Sequence, residues 1–154
     1  MTILEKLAER GLKLPPPAAP GGNYIPARRH GRLLYLSGAI SSRDGKIITG
    51  RLGDDLTVPD GARAAQDCLL NLLAAIQQAV GDLELVSGIV SVNGYVRCTP
   101  DFGDPPLVIN GASDLIVALW GDAGRHTRAA VGVASLPKNA AVEIQMLVEL
   151  RESA

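Results

Sequence analysis

Aromatic residues make up only 3% of this 154-residue chain, and 15 basic against 16 acidic residues leave a formal charge of −1. A groove for single-stranded nucleic acid needs stacking rings beside a basic track. The basic cluster of Arg28, Arg29, His30 and Arg32 has no such platform, so a solvated hairpin turn is its favoured reading, and the near-zero charge supplies no field to draw in nucleic acid or an anionic membrane. Cysteine is equally scarce. Cys68 and Cys98 are too few for a disulfide framework and read as buried apolar residues, and no Cys/His spacing suggests a metal site. No apolar run approaches the roughly 20 residues that span a bilayer, and the N-terminus lacks a basic stretch followed by an apolar one. A soluble protein of a reducing, cytoplasmic compartment is expected, with no metal or organic cofactor.

What is present suits one compact domain. An apolar fraction of 47% is enough to build a core at this length. Residues 3 to 10 predict a short amphipathic helix stopped at Gly11, followed by the Pro-rich stretch Leu14 to Pro20, which runs extended. This lead-in, residues 1–20, precedes an expected single domain over 21–154. Either it packs across the outside of that domain or onto a neighbouring subunit, or it is a loose tail.

Two strands are expected at 23–29 and 32–38 with a turn at His30-Gly31, and a third at Lys46 to Thr49 after the Asp44-Gly45 turn. After Pro59 the spacing of Ala62, Ala65, Leu69, Leu72, Ile76 and Val80 predicts a helix ending at Gly81, with Asp67, Asn71 and Gln78 among its polar positions. Val86 to Cys98 predicts a central strand, Asp101 to Pro106 a loop, and Asn110 to Trp120 a second helix. The expected fold is α+β, in the order βββαβαββ, with two helices on one face of a mixed, mainly antiparallel sheet.

The closing stretch from Arg128 to Ile144 carries the most information. It reads as two alternating strands around Leu136-Pro137-Lys138-Asn139. On the first, Val131 and Val133 share a face opposite Arg128, Ala130 and Gly132; on the second, Val142, Ile144, Met146 and Val148 oppose Glu143, Gln145, Leu147 and Glu149. Both lone charges, Arg128 and Glu143, are thus expected to point away from the core. Two helices cover only one face of a sheet, so the other face, with Leu147 among its residues, is expected to be covered by something else.

An Arg opening one strand, a Leu-Pro turn and a Glu in a Val-Glu-Ile setting resemble the signature of the YjgF/RidA family, also known as the endoribonuclease L-PSP or translation-inhibitor proteins. Gly22 to Pro26 resembles the family's Tyr-bearing first strand, Leu33 to Gly38 its second strand ending in Ser-Gly, and Asp101-Phe102 followed by Val108-Ile109-Asn110 the loop and helix start before the Arg strand. The resemblance covers roughly residues 20 to 150. It implies the chorismate-mutase-like fold, a homotrimer with a central barrel and ligand clefts between subunits, and hydrolysis of reactive 2-enamino and 2-imino acids, such as 2-aminoacrylate and 2-iminopropanoate, to 2-keto acids and ammonia.

Residue by residue, two readings stand side by side. Arg128 is either a clamp for a substrate carboxylate or the partner of a salt bridge, with Glu143 as one candidate. Glu143 is a polar residue of an exposed strand face, or the carboxylate that orients water and relays its proton. Tyr24 is a core-edge aromatic or a lid donating into a neighbouring cleft, and Asn110 is a helix N-cap or a site residue. Gly38 would permit close approach of backbone to ligand, beside Ala39 where the family commonly has Gln. Ala130 shares the face of Arg128 and joins the substrate-binding set. His126 shares that face too but reads as a surface or hydrogen-bonded residue, and Ser37 lacks a nucleophile elbow. The lead-in, Ala39 and a longer Thr99 to Leu107 loop mark a divergent branch. Two alternatives belong to other classes: a non-catalytic trimer that binds small carboxylates and regulates a partner, and an endoribonuclease.

Overall fold

The structure is a computed structural model that describes residues 1–152; residues 153 and 154, the end of the expected 21–154 domain, lie outside the described residues. Three α-helices, α1 (Ile3–Glu9), α2 (Val58–Val80) and α3 (Pro105–Trp120), accompany eight strands: β1 (Ala27–His30), β2 (Leu33–Leu36), β3 (Ala39–Ile40), β4 (Ser42–Arg43), β5 (Lys46–Ile47), β6 (Val86–Arg97), β7 (Thr127–Val133) and β8 (Val142–Leu150). The main sheet runs β1-β2-β8-β6-β7, with β3 also paired to β8. Only the β6–β7 pair is parallel, so the sheet is mixed and mainly antiparallel as expected.

The expected order βββαβαββ with two helices is corrected to αβββββαβαββ with three. The N-terminal segment forms a complete helix: Thr2 and Glu5 close a capping box, and Ile3 and Leu7 are buried. Lys6 Nζ donates to Leu119 O at 2.7 Å, and the Ile3 amide donates to Glu84 at 2.6 Å, which seats α1 against the end of α3 and the 3-10 turn Leu83–Leu85 before β6. The third expected strand does not join the main sheet. Asp44 and Gly45, with φ of 53° and 77°, turn β4 back into β5 as a separate two-stranded hairpin.

In α2 the Thr57/Asp60 capping box, Pro59 in the first turn and Gly81 in the left-handed conformation bound the helix where its residue types predict. Leu69, Leu72, Leu73 and Ile76 are fully buried against the sheet, each contributing about 1.5–3 kcal/mol of apolar burial. Asp67, expected on the polar side, is instead 7% exposed and paired with Arg43 of β4 at 2.6 Å, while Asn71 donates to Ser42 Oγ at 2.9 Å. These two polar residues fasten the β4–β5 hairpin to α2. Gly111 lets α3 touch α2, since a Cβ there would collide with the backbone of Ala62.

The orientation expected for β7 is also corrected. Arg128, Ala130 and Gly132 pair with Val92, Gly94 and Val96, all buried beneath the helices, whereas Val131 is 45% exposed on the open face. Apolarity misleads here because β7 is an edge strand: its helix-side face is only partly covered, so Arg128 can reach α3 from it, while a Cβ on Gly132 would sit 2.6 Å from Cys98 Sγ. Tyr35 at 49% exposure and the partly exposed Tyr95 and Leu147 lie on the open face with Val131.

Candidate active site

Glu143 stands on β8 with its side chain on the open face, opposite Ile40 and Tyr95. Between β2 and β3 the chain takes four steps from Tyr35 to Ala39 while β8 takes three from Leu147 to Ile144. This one-residue bulge at Ser37-Gly38 bends the strand away and opens the sheet beside Glu143. A Cβ at Gly38 would meet the Glu143 carboxylate and lie 3.1 Å from its Cδ, so the bare glycine leaves that side chain its present position. The opening is a cleft of about 680 Å³. Glu143, Gly38, Tyr24 and Lys138 line it, together with Ala18 to Gly21 at the end of the lead-in. Tyr24 Oη accepts the Gly21 amide at 3.1 Å, tying the lead-in to this wall, and Ser37 Oγ donates to Ile25 O at 2.7 Å. Partial burial pushes the Glu143 carboxyl pKa up, since removal from water disfavours the charged form.

Arg128 occupies a second location. From the edge strand β7 it reaches α3, where Nη1 donates to Asn110 Oδ1 at 2.7 Å and Ser113 Oγ at 3.2 Å, and Nη2 to Pro106 O at 3.4 Å. Three of the five guanidinium donors are engaged in this way, leaving two N–H groups and an exposed position, sufficient for two-point contact with a carboxylate. Asn110 is not an N-cap, because α3 begins five residues earlier at Pro105; its amide oxygen orients Arg128 instead. Ala130 lies two residues along the same face.

Arg128 and Glu143 do not meet within one chain. Arg128 is level with Val92 of β6 and Glu143 with Tyr95, an odd separation that places them on opposite faces. They lie roughly 10 Å apart along the strands and two strand spacings apart across the sheet. No salt bridge joins them among the described residues. The candidate residues thus form two groups: Glu143, Gly38 and Tyr24 at the cleft, and Arg128, Asn110 and Ala130 at the sheet edge.

Ser113 was not legible as a site residue. The signal for it is the i, i+3 spacing from Asn110, which puts both on one stripe of a helix that begins before either. His126, just before β7, lies 2.9 Å from Ser113 Oγ through Nε2. Both cysteines are buried, and desolvation pushes the Cys68 thiol well above its ordinary pKa, the condition of an inert thiol. In the basic hairpin, Arg32 is drawn back to Glu149 at 3.4 Å and Leu150 O at 3.1 Å. Among the described residues no group of three or more His, Cys, Asp or Glu is placed to hold a metal ion, and no helix is long and apolar enough to cross a membrane.

Protein TCP17 of Trypanosoma cruzi is 45% identical to this chain over 150 residues, covering 96% of it and 94% of TCP17. The 2-iminobutanoate/2-iminopropanoate deaminase of Dermatophagoides farinae is 30% identical over 142 residues, 91% of this chain and 95% of that protein. The crystal structure of protein Atu1372 from Agrobacterium tumefaciens, 45% identical, matches with a TM-score of 0.90 over 97% of this chain and 92% of that one. The family model described as "YjgF/chorismate_mutase-like, putative endoribonuclease" matches residues 5–150. Matched by that family model over nearly its whole length and 30% identical to the deaminase over 142 residues, the chain belongs to the YjgF/RidA family.

Proposed function

We propose that this protein is a deaminase that hydrolyses reactive 2-enamino and 2-imino acids to 2-keto acids and ammonia. The observation that carries the reading is Glu143, a carboxyl with a raised pKa set against a bare glycine in an open cleft, in a chain similar to a 2-imino acid deaminase over nearly its whole length. The enamine tautomerises to the imine, and water adds to C2 of the C=N bond. The first proton of the water goes to nitrogen to give the carbinolamine, the remaining hydroxyl proton follows it to the amine, and the C–N bond then breaks so that ammonia leaves as the carbonyl forms. Glu143 takes the proton from the attacking water and returns it to the departing nitrogen, and its raised pKa brings it nearer to neutrality, where proton exchange in both directions is efficient. Arg128 holds the substrate carboxylate through its two uncommitted N–H groups, with Asn110 fixing the guanidinium plane. Tyr24 and the small residues at the end of the lead-in border the space for the substrate side chain. The substrate already hydrolyses in water, so positioning and proton transfer supply the catalysis.

Since Arg128 and Glu143 lie on opposite faces of one sheet, the active site of this reading is built between subunits of a homotrimer. Arg128 on the edge strand of one copy faces the Glu143 cleft of the next. The open face supports this assembly, because it leaves the large side chains of Tyr35 and Val131 about half exposed beside the polar Asn93 and Gln145, a mixed surface suited to a subunit contact.

The test is release of ammonia and pyruvate from freshly generated 2-aminoacrylate. The wild-type protein is expected to accelerate it, while Arg128→Ala lowers kcat/KM by about 100-fold, the scale of one two-point charge-assisted contact. Glu143→Gln is expected to lower kcat with little change in KM. A folded wild-type protein that accelerates no member of a panel of 2-imino acids would instead leave a small-carboxylate-binding regulator as the function.

A further inference from the structure

We infer that Ser113 and His126 are positioning residues that set the Arg128 guanidinium through a directed hydrogen-bond relay, with His126 held as the neutral tautomer protonated at Nδ1. The inference rests on Arg128 being the carboxylate clamp and adds what holds the clamp in place. His126 Nδ1 lies 2.7 Å from Gly124 O. A carbonyl oxygen only accepts, so Nδ1 carries the hydrogen and donates it. Ser113 Oγ already accepts the Arg128 Nη1 hydrogen, and a cationic ring would set a second positive charge beside the guanidinium, so the geometry assigns Nε2 the acceptor role towards the Ser113 hydroxyl at 2.9 Å. Ser113 O–H therefore donates to Nε2, and its lone pairs face Arg128 Nη1 at 3.2 Å.

Each link has one direction. Arg128 donates to Ser113, Ser113 donates to His126, and His126 donates to the Gly124 carbonyl in the 3-10 turn (Gly121–Gly124) that follows α3. Arg128 is exposed and sits on an edge strand, where a long side chain has many rotamers to lose on binding. The Pro106 carbonyl holds Nη2 at a long 3.4 Å, and Asn110 fixes one point of Nη1. Ser113 supplies a second on the same nitrogen, and a hydroxyl is directional only when its own proton is committed. His126 commits it. The relay thus orients the fork before substrate arrives and leaves the remaining donors free for the carboxylate. Binding is the step that benefits, so loss of the relay raises KM and leaves kcat nearly unchanged.

Four readouts test this on the intact protein, with pyruvate as the binding probe. In the wild type, nitrogen-15 NMR of the imidazole rings is expected to show His126 protonated at Nδ1 and unprotonated at Nε2. Ser113→Ala and His126→Phe are each expected to weaken pyruvate binding and raise KM by about tenfold while kcat stays within twofold, and Ser113→Thr, which keeps the hydroxyl, is expected to stay within twofold of wild type in all three. A wild-type ring protonated at Nε2 overturns the relay. So do folded Ser113→Ala and His126→Phe proteins that bind pyruvate as tightly as wild type while Arg128→Ala does not. If Arg128→Ala itself binds pyruvate like wild type, the clamp falls and the inference with it, whatever the tautomer, so the two failures are told apart.

Discussion

At the scale of single residues, Glu143 is where stability and chemistry oppose each other. Its pKa is raised by desolvation alone, so the charged form is less favourable in the folded protein than in the unfolded chain. A group with a raised folded pKa binds more protons when folded, and stability declines as pH rises from the ordinary glutamate range through the folded value. Above that window the destabilisation is fully present; well below it, it vanishes. Glu143→Gln is therefore expected to raise the thermal midpoint at neutral pH and to lose that advantage near pH 3, as thermal unfolding at the two pH values would reveal. The same shift shapes catalysis. With Glu143 as the proton acceptor, kcat/KM is expected to fall on the acid side through a single ionisation lying above the usual glutamate pKa, and a pH profile with no such limb would contradict that role.

At the scale of elements, the crossing of α2 and α3 depends on Gly111. The backbone of Ala62 fills the space a side chain would need, and backbone cannot turn aside as the tip of a flexible side chain does. Gly111→Ala is expected to destabilise the fold by about 1–3 kcal/mol, the range for overpacking a close-packed contact, and chemical denaturation measures it. The effect extends to function, because Gly111 lies next to Asn110 and two residues before Ser113. Prising α3 away from α2 displaces both groups that hold Arg128. Activity is expected to fall together with stability, in contrast to Glu143→Gln, where they move in opposite directions.

At the scale of the whole molecule, the proposed trimer follows from one sheet having two differently treated faces. The helices bury one, and the other keeps Tyr35 and Val131 about half exposed. Light scattering is expected to give about 48 kDa, three times the 16.1 kDa chain. Val131→Asp, which sets a charge on the face to be buried, is expected to shift the mass toward the monomer and to remove deaminase activity, since Arg128 and Glu143 then have no common cleft. A fully active monomer would contradict a site shared between subunits.

Much of this was legible in order along the chain. Residue types alone determined the long helix after Pro59 with its Gly81 stop, the turn at Gly31, the central β6 strand and the alternation of β8 that turns Glu143 from the core, because left-handed turns and the periodicity of burial are local. The Arg, Leu-Pro and Glu pattern likewise pointed to the family now matched over residues 5–150. Other features were decided only by tertiary structure. Whether Val131 or Arg128 faces the helices depends on how much room α3 leaves above an edge strand, and an apolar residue on β7 fits a core or a subunit contact equally well. The bulge at Ser37-Gly38 is a difference between two ladders on β8, which no single strand reveals. Asn110 joined Arg128 rather than a helix end because α3 starts at Pro105, and Ser113 entered only when β7 was laid beside that helix. Local periodicity states which residues share a face; only the packing of one element on another states what that face meets.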